Sequence, residues 1–270
     1  MKIAALMVAL AGVASGASAA VSFTGTTYTQ NFDTLLNAPA TGNAFANDTT
    51  IVGWHLFKRT SNTDATPVPA VTYNAGTGSS NGGNFYSFGA TGSSERSFGG
   101  VGSSSAPNFG GPSTGAVAGW LAVSFNNDTG TSLNQFTIGF DGEQWRDGGA
   151  ATPVAQTMVL EYGFGSSFNA VTTWIAPGGT FNFASPVFAN TGSGVAVDGN
   201  VAGLVAGLGG SVNSIAWNPG ETLWVRWIEN NDTGNDHGLS IDNLTFNAIP
   251  TPGAMALLGL AGLVAGRRKR

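Results

Sequence analysis

Short apolar runs with a period of two, each bounded by glycine, asparagine, serine or proline, constrain this chain more than any other feature. Leu121, Val123 and Phe125 share one face of an extended segment, as do Phe136, Ile138 and Phe140, then Met158, Leu160 and Tyr162, then Leu223, Val225 and Trp227. Leu239, Ile241, Leu244 and Phe246 repeat the pattern less regularly. Alternation places Trp224 and Trp227 on opposite faces of one strand, so one of them points away from the core unless a loop covers it. No interior segment sustains a helical period with caps. Val201 to Leu208 comes nearest, and Gly203 and Gly207 make it a loop-borne turn. Strands at this spacing predict an all-β, antiparallel, two-sheet jelly-roll sandwich with long Gly/Ser loops.

Composition supports a packed core. The chain has 41 glycines for turns, 10% aromatic residues, only 9% charged residues and no cysteine, so packing rather than disulfides must hold it together. The stretch from Gly76 to Gly111 is rich in Gly and Ser, yet Phe85, Tyr86, Phe88, Phe98 and Phe109 interrupt it. A linker has no use for such side chains, which predicts long loops packed on the sandwich. Asn126-Asn127-Asp128-Thr129-Gly130 and Asn230-Asn231-Asp232-Thr233-Gly234 echo one another after two strands and read as turns.

The ends have a different character. Lys2, an apolar core from Ile3 to Val13 and Ala17-Ser18-Ala19 have the order of a secretory signal peptide over residues 1–19, with the mature chain starting at Ala20. Ile249 to Arg270 reads IPTPGAMALLGLAGLVAGRRKR: a proline pair, a short apolar run and four cations, Arg267, Arg268, Lys269 and Arg270. As a helix, Ala254 to Ala265 spans about 18 Å, short of the roughly 30 Å hydrocarbon core of a bilayer. It is at most a transient or marginal membrane anchor, and the basic end would stay cytoplasmic. Without the two ends, five cations face 15 acids, a net charge of −10 that disfavours nucleic acid and suits divalent cations.

The three-part tail resembles the PEP-CTERM sorting domain, whose Pro-Glu-Pro motif appears here as Pro250-Thr251-Pro252 with Thr in the central place. The resemblance implies signal peptidase and an exosortase-type protease as processing partners. It also implies delivery to the cell surface, outer membrane or extracellular matrix of a Gram-negative bacterium, in a milieu of extracellular polysaccharide. A simple C-terminal anchor is the alternative reading of the same residues.

Candidate chemistry between residues 20 and 248 is sparse. Gln30-Asn31-Phe32-Asp33 in the first strand and Ser240-Ile241-Asp242-Asn243-Leu244 opening the last strand resemble carbohydrate-binding jelly rolls, in which acids from the terminal strands hold a structural calcium. On that resemblance Asp33 and Asp242 would bind Ca2+, with Asn31, Asn243 or backbone carbonyls completing the shell; otherwise both are acids hydrogen-bonded at strand ends. Asp141, Glu143 and Asp147, with Glu161 a strand later, could form a glycosidase pair, but they do not reproduce the E-x-D-x-x-E signature of laminarinase-like enzymes. Pairing of Arg146 or Arg96 with one of these acids at a loop base is the structural alternative.

His55 and His237 are the only histidines, and there is no G-x-S-x-G elbow or phosphate loop, which disfavours zinc, Cys/His and nucleotide chemistry. Trp145 and Trp174, flanked by loop residues, are the expected exposed rings for stacking on sugars. The expectation is therefore a non-enzymatic surface protein, structural or adhesive, with a lectin-like module as alternative and a glycosidase as the third reading.

Overall fold

The computed structural model describes residues 20–59, 66–103 and 116–250. Among these residues the chain is all-β, with two single turns of 3-10 helix at Phe168–Ala170 and Gly179–Phe181. The strands are β1 (Val21–Phe23), β2 (Tyr28–Gln30), β3 (Asn43–Ala44), β4 (Trp54–Lys58), β5 (Val68–Pro69), β6 (Thr72–Gly76), β7 (Asn84–Phe88), β8 (Ser97–Val101), β9 (Val117–Asn127), β10 (Leu133–Asp147), β11 (Thr157–Phe164), β12 (Phe183–Ala184), β13 (Val195–Ala196), β14 (Leu204–Trp217), β15 (Thr222–Asn230) and β16 (Gly238–Pro250).

They form two mostly antiparallel sheets. The seven-stranded sheet runs β12-β11-β15-β9-β4-β5 with β1 on β9, and the nine-stranded sheet runs β13-β10-β16-β8-β7-β6-β3 with β14 on β10 and β2 on β16. Only short strands flank the long ones on some edges, so two partners lie end to end. Along β16, β8 covers Gly238–Ile241 and β2 covers Leu244–Phe246, leaving Asp242 and Asn243 at the gap between them.

The core lies between the sheets and follows the alternation in the sequence. Leu121, Val123 and Phe125 of β9, Leu160 of β11 and Leu223, Val225 and Trp227 of β15 face Phe136, Ile138 and Phe140 of β10 and Leu244 and Phe246 of β16. Trp54 stacks on Trp227 with centroids 5.9 Å apart, and Phe125 on Phe246 at 3.9 Å. Burying each such side chain is worth about 1.5–3 kcal/mol relative to leaving it exposed, which is how a cysteine-free chain replaces disulfides. Trp224, on the other face of β15, joins a second cluster with Phe57, Trp120, Phe168 and Val171, so a loop does cover it.

Four local expectations are corrected. Residues 141–147 are not a loop base but the second half of β10, a 15-residue strand. Val201 to Leu208 is not a turn throughout: only its first residues turn, and from Leu204 onward the chain is β14, because pairing with β10 outweighs the low strand propensity of its glycines. The Gly/Ser-rich region holds β7 and β8 inside the nine-stranded sheet, with Phe85, Tyr86, Phe88 and Phe98 buried. Gln30 to Asp33 is not within the first strand either, since β2 is second and ends at Gln30. The signal peptide at 1–19, Phe109, and the sorting residues Thr251, Pro252, Arg267, Arg268, Lys269 and Arg270 with the expected C-terminal helix lie outside the described residues. No helix among the described residues is long and apolar enough to cross a membrane.

Candidate functional site

The outer face of the nine-stranded sheet collects the acids. In β16 the inward positions change phase, from Leu239 and Ile241 to Leu244 and Phe246. The slip is a bulge: Asn243 has φ of +50°, and the pairing with β10 jumps from Gly139↔Thr245 to Asp141↔Asp242. Asp242 therefore points outward, where Glu143 projects from the next strand and Glu95 from the segment entering β8. One carboxylate oxygen from each of the three lies within 4.8 Å of the others.

These acids are poorly solvated. Glu143 is 1% exposed and Asp242 3%. Burial, reinforced by the charges of Glu143, Glu95 and Asp33, pushes the Asp242 carboxyl up to about 8. Burial raises Glu143 as well, against hydrogen bonds from Ser97 and Trp145. Asp242 Oδ1 and Glu95 Oε1 are buried without a hydrogen-bond partner. The nearby Arg96 cation is electrostatically coupled to Glu95 and Glu143, but its guanidinium donates to Ser87 Oγ at 2.8 Å and to the Ser87 and Gly76 carbonyls.

Asp33 is near this group but is not one of the three. It is exposed, accepting from Asn31 Nδ2 at 2.6 Å and from the Arg96 backbone N–H at 2.9 Å. The neighbouring terminal strands, β2 and β16, do bring it close enough to raise Asp242. Asp33 and Asp242 are thus neighbours, while the oxygens gathered within 4.8 Å belong to Glu95, Glu143 and Asp242; Glu95 enters from a part of the chain whose strands the alternation did not disclose.

Trp145 is not an exposed ring. It is 2% exposed in β10, donating from Nε1 to Glu143 Oε2 at 2.8 Å and to Ser97 Oγ at 2.9 Å. Gly199 closes over it so tightly that a Cβ there would sit 2.3 Å from the indole. Trp145 thus covers the acids rather than offering a platform. Nor does Arg146 or Arg96 make the expected ion pair at a loop base. Arg146 donates to the Gly78 and Ser79 carbonyls, and a charge pair forms instead between Arg226 and Glu161, cross-strand neighbours in β15 and β11.

That pair lies on the opposite outer face, that of the seven-stranded sheet. Arg226 donates from Nε and Nη2 to Glu161 Oε2 at 2.8 and 2.5 Å, while its guanidinium carbon lies 3.8 Å from the centroid of Trp174. Burial pulls the guanidinium pKa down and Glu161 opposes the shift. Trp174 is half-buried, and with Phe168, Asn169, Val171, Thr66, Pro67 and Arg226 it lines a cavity of about 370 Å3. The structure thus separates the two expected tryptophans, one in the interior and one at a surface cavity.

A third constellation had no sequence signal, since its members are far apart in the chain. His237 Nδ1 lies 3.0 Å from Ser185 Oγ and its Nε2 3.4 Å from Asp147 Oδ1. The resemblance to a nucleophilic triad ends there. Ser185, His237 and Asp147 are 2%, 4% and 2% exposed, and Ser185 Oγ already accepts the Gln156 N–H. Burial holds His237 below its ordinary value with Asp147 opposing. The arrangement ties the end of β10 to two loops and offers no room for a substrate. Compared with family models and with curated proteins, the chain matches none.

Proposed function

We propose that this chain is an exported β-sandwich of the jelly-roll type, delivered to the cell surface or extracellular matrix of a Gram-negative bacterium as a structural or adhesive protein. Its C-terminal segment is the sorting signal, processed by an exosortase-type protease. The observation that supports an independent β domain is its core, which among the described residues runs from Phe23 to Ala248 between the two sheets; β16 continues through Ile249 and Pro250, the first two residues of the expected signal, which pair with Gln135 and Leu133 of β10. Intact mass of the protein recovered from its native surface tests the reading. A mass lacking the segment after the proline pair is expected, and a chain still ending in Arg-Arg-Lys-Arg would make it an anchor.

A carbohydrate-binding role is the second reading, favoured by the cavity at Trp174. A half-buried indole presents an apolar face to sugar C–H groups, while Arg226 and Asn169 supply donors beside it. Binding to a panel of extracellular polysaccharides should fall at least tenfold in Trp174→Ala with the melting temperature nearly unchanged. Equal binding by the variant would remove this site from the account. The glycosidase reading is weakest, because its acids do not flank a groove: Glu143 and Asp147 are buried in β10, and Glu161 pairs with Arg226 on the other sheet.

A further inference from the structure

We propose that Glu95, Glu143 and Asp242 form a site for a hard divalent cation, Ca2+ above all, which clamps β16 to β10 and to the segment entering β8. The three-carboxylate geometry is the first support. Ligands on opposite sides of a calcium ion, each about 2.4 Å from it, are about 4.8 Å apart, and no two of the three oxygens exceed that separation. The set is oxygen-only, which selects Ca2+ or Mg2+ over zinc and softer metals. Mg2+ demands shorter bonds and near-ideal octahedral geometry, a poor match for ligands from three separate chain segments.

The second support is independent of the cluster's composition. Asp242 Oδ1 is buried in a residue 3% exposed and has no hydrogen-bond partner, and Glu95 Oε1 is likewise bare. A buried polar atom without a partner is costly, and two of them on the acids of one cluster are accounted for by a cation between them. The other oxygen of Glu95 is held by Asn200 Nδ2 at 2.6 Å, and Glu143 Oε2 by Trp145 Nε1 at 2.8 Å. Donors of this kind orient carboxylates for a metal.

Backbone geometry gives the third. Asp242 falls at the gap between β8 and β2, beside the bulge at Asn243, where strand pairing along that edge of β16 is interrupted. A cation there would join the segments where ladder hydrogen bonds cannot. Asp33 and Asp141 surround the site with further negative charge but are occupied by other donors: Asp33 by Asn31 and the Arg96 N–H, Asp141 by the Gly207 N–H and Asn243 Nδ2.

The test uses the full exported chain, stripped with chelator. Added Ca2+ should raise the melting temperature by several degrees, and more than Mg2+ does. Tb3+ should bind with tryptophan-sensitised luminescence, since the Trp145 indole touches Glu143, and Ca2+ should displace it. Asp242→Asn and Glu95→Gln should each weaken Tb3+ binding at least tenfold, whereas Asp33→Asn should leave it within about twofold. Glu95 is only half-buried, so its variant serves if Asp242→Asn does not fold. Unchanged melting without sensitised luminescence would overturn the site, and so would loss of binding in Asp33→Asn alone.

Discussion

Asp236 shows how much a single side chain can bind folding to pH. Its carboxyl sits beside Glu229 and Asp232 and accepts the Asp232 N–H, and burial raises it from the ordinary 3.8 to about 7. The folded chain therefore keeps a proton that the unfolded chain releases between about pH 4 and pH 7. The stability tied to that proton is complete below pH 3.8, declines through this window and is gone above pH 7. Glu229, fully buried and raised in the same direction, adds to the slope. His55, pulled down to about 4 by burial, contributes the opposite slope on the acid side, where it must remain neutral as pH falls below 6.5. Asp236→Asn keeps an acceptor for the Asp232 N–H, so at pH 8 it should melt above the parent and near pH 4 at the same temperature. Parallel melting profiles from pH 4 to 8 would reject this account. The residue scale also explains the divergence of the two tryptophans: each reads as a ring near glycines, but only the register of β10 puts Trp145 under Gly199, and only a loop keeps Trp174 at the surface.

At the scale of the element, β16 carries most of the organisation. It pairs with β10 along one side and with β8 and β2 along the other. Its imperfect alternation from Leu239 to Phe246 is legible in the sequence as irregularity. That the irregularity is a bulge turning Asp242 toward Glu143 and Glu95 is visible only with the partner strands in place, since a phase slip has meaning only against a register. The close fit of β8 to β16 yields a second prediction. A Cβ on Gly99 would lie 2.0 Å from the Leu239 carbonyl and 2.4 Å from the Ser240 Cα, backbone atoms with little freedom to retreat. Gly99→Ala should cost about 3 kcal/mol, the upper end for overpacking, in urea-induced unfolding. A loss below about 0.5 kcal/mol would mean that the two strands are less tightly joined than described.

At the scale of the whole molecule, the described residues form one two-sheet β structure with a shared core. On the proposal that the segment after Pro250 is a sorting signal, a chain truncated there should melt within about 2 °C of the full one in a thermal scan; a larger drop would show that the tail takes part in the fold. The sequence alone determined the all-β character and most of the inward-facing residues, because the face a side chain occupies in a strand is set by its immediate neighbours. The tertiary structure alone decided that Glu95 rather than Asp33 completes the acidic group, that Arg226 rather than Arg146 pairs with an acid, and that glycine-rich segments such as β8 and β14 are sheet strands. Those outcomes depend on strand register and on which loop closes over which face, and both are settled by contacts between segments far apart in the chain.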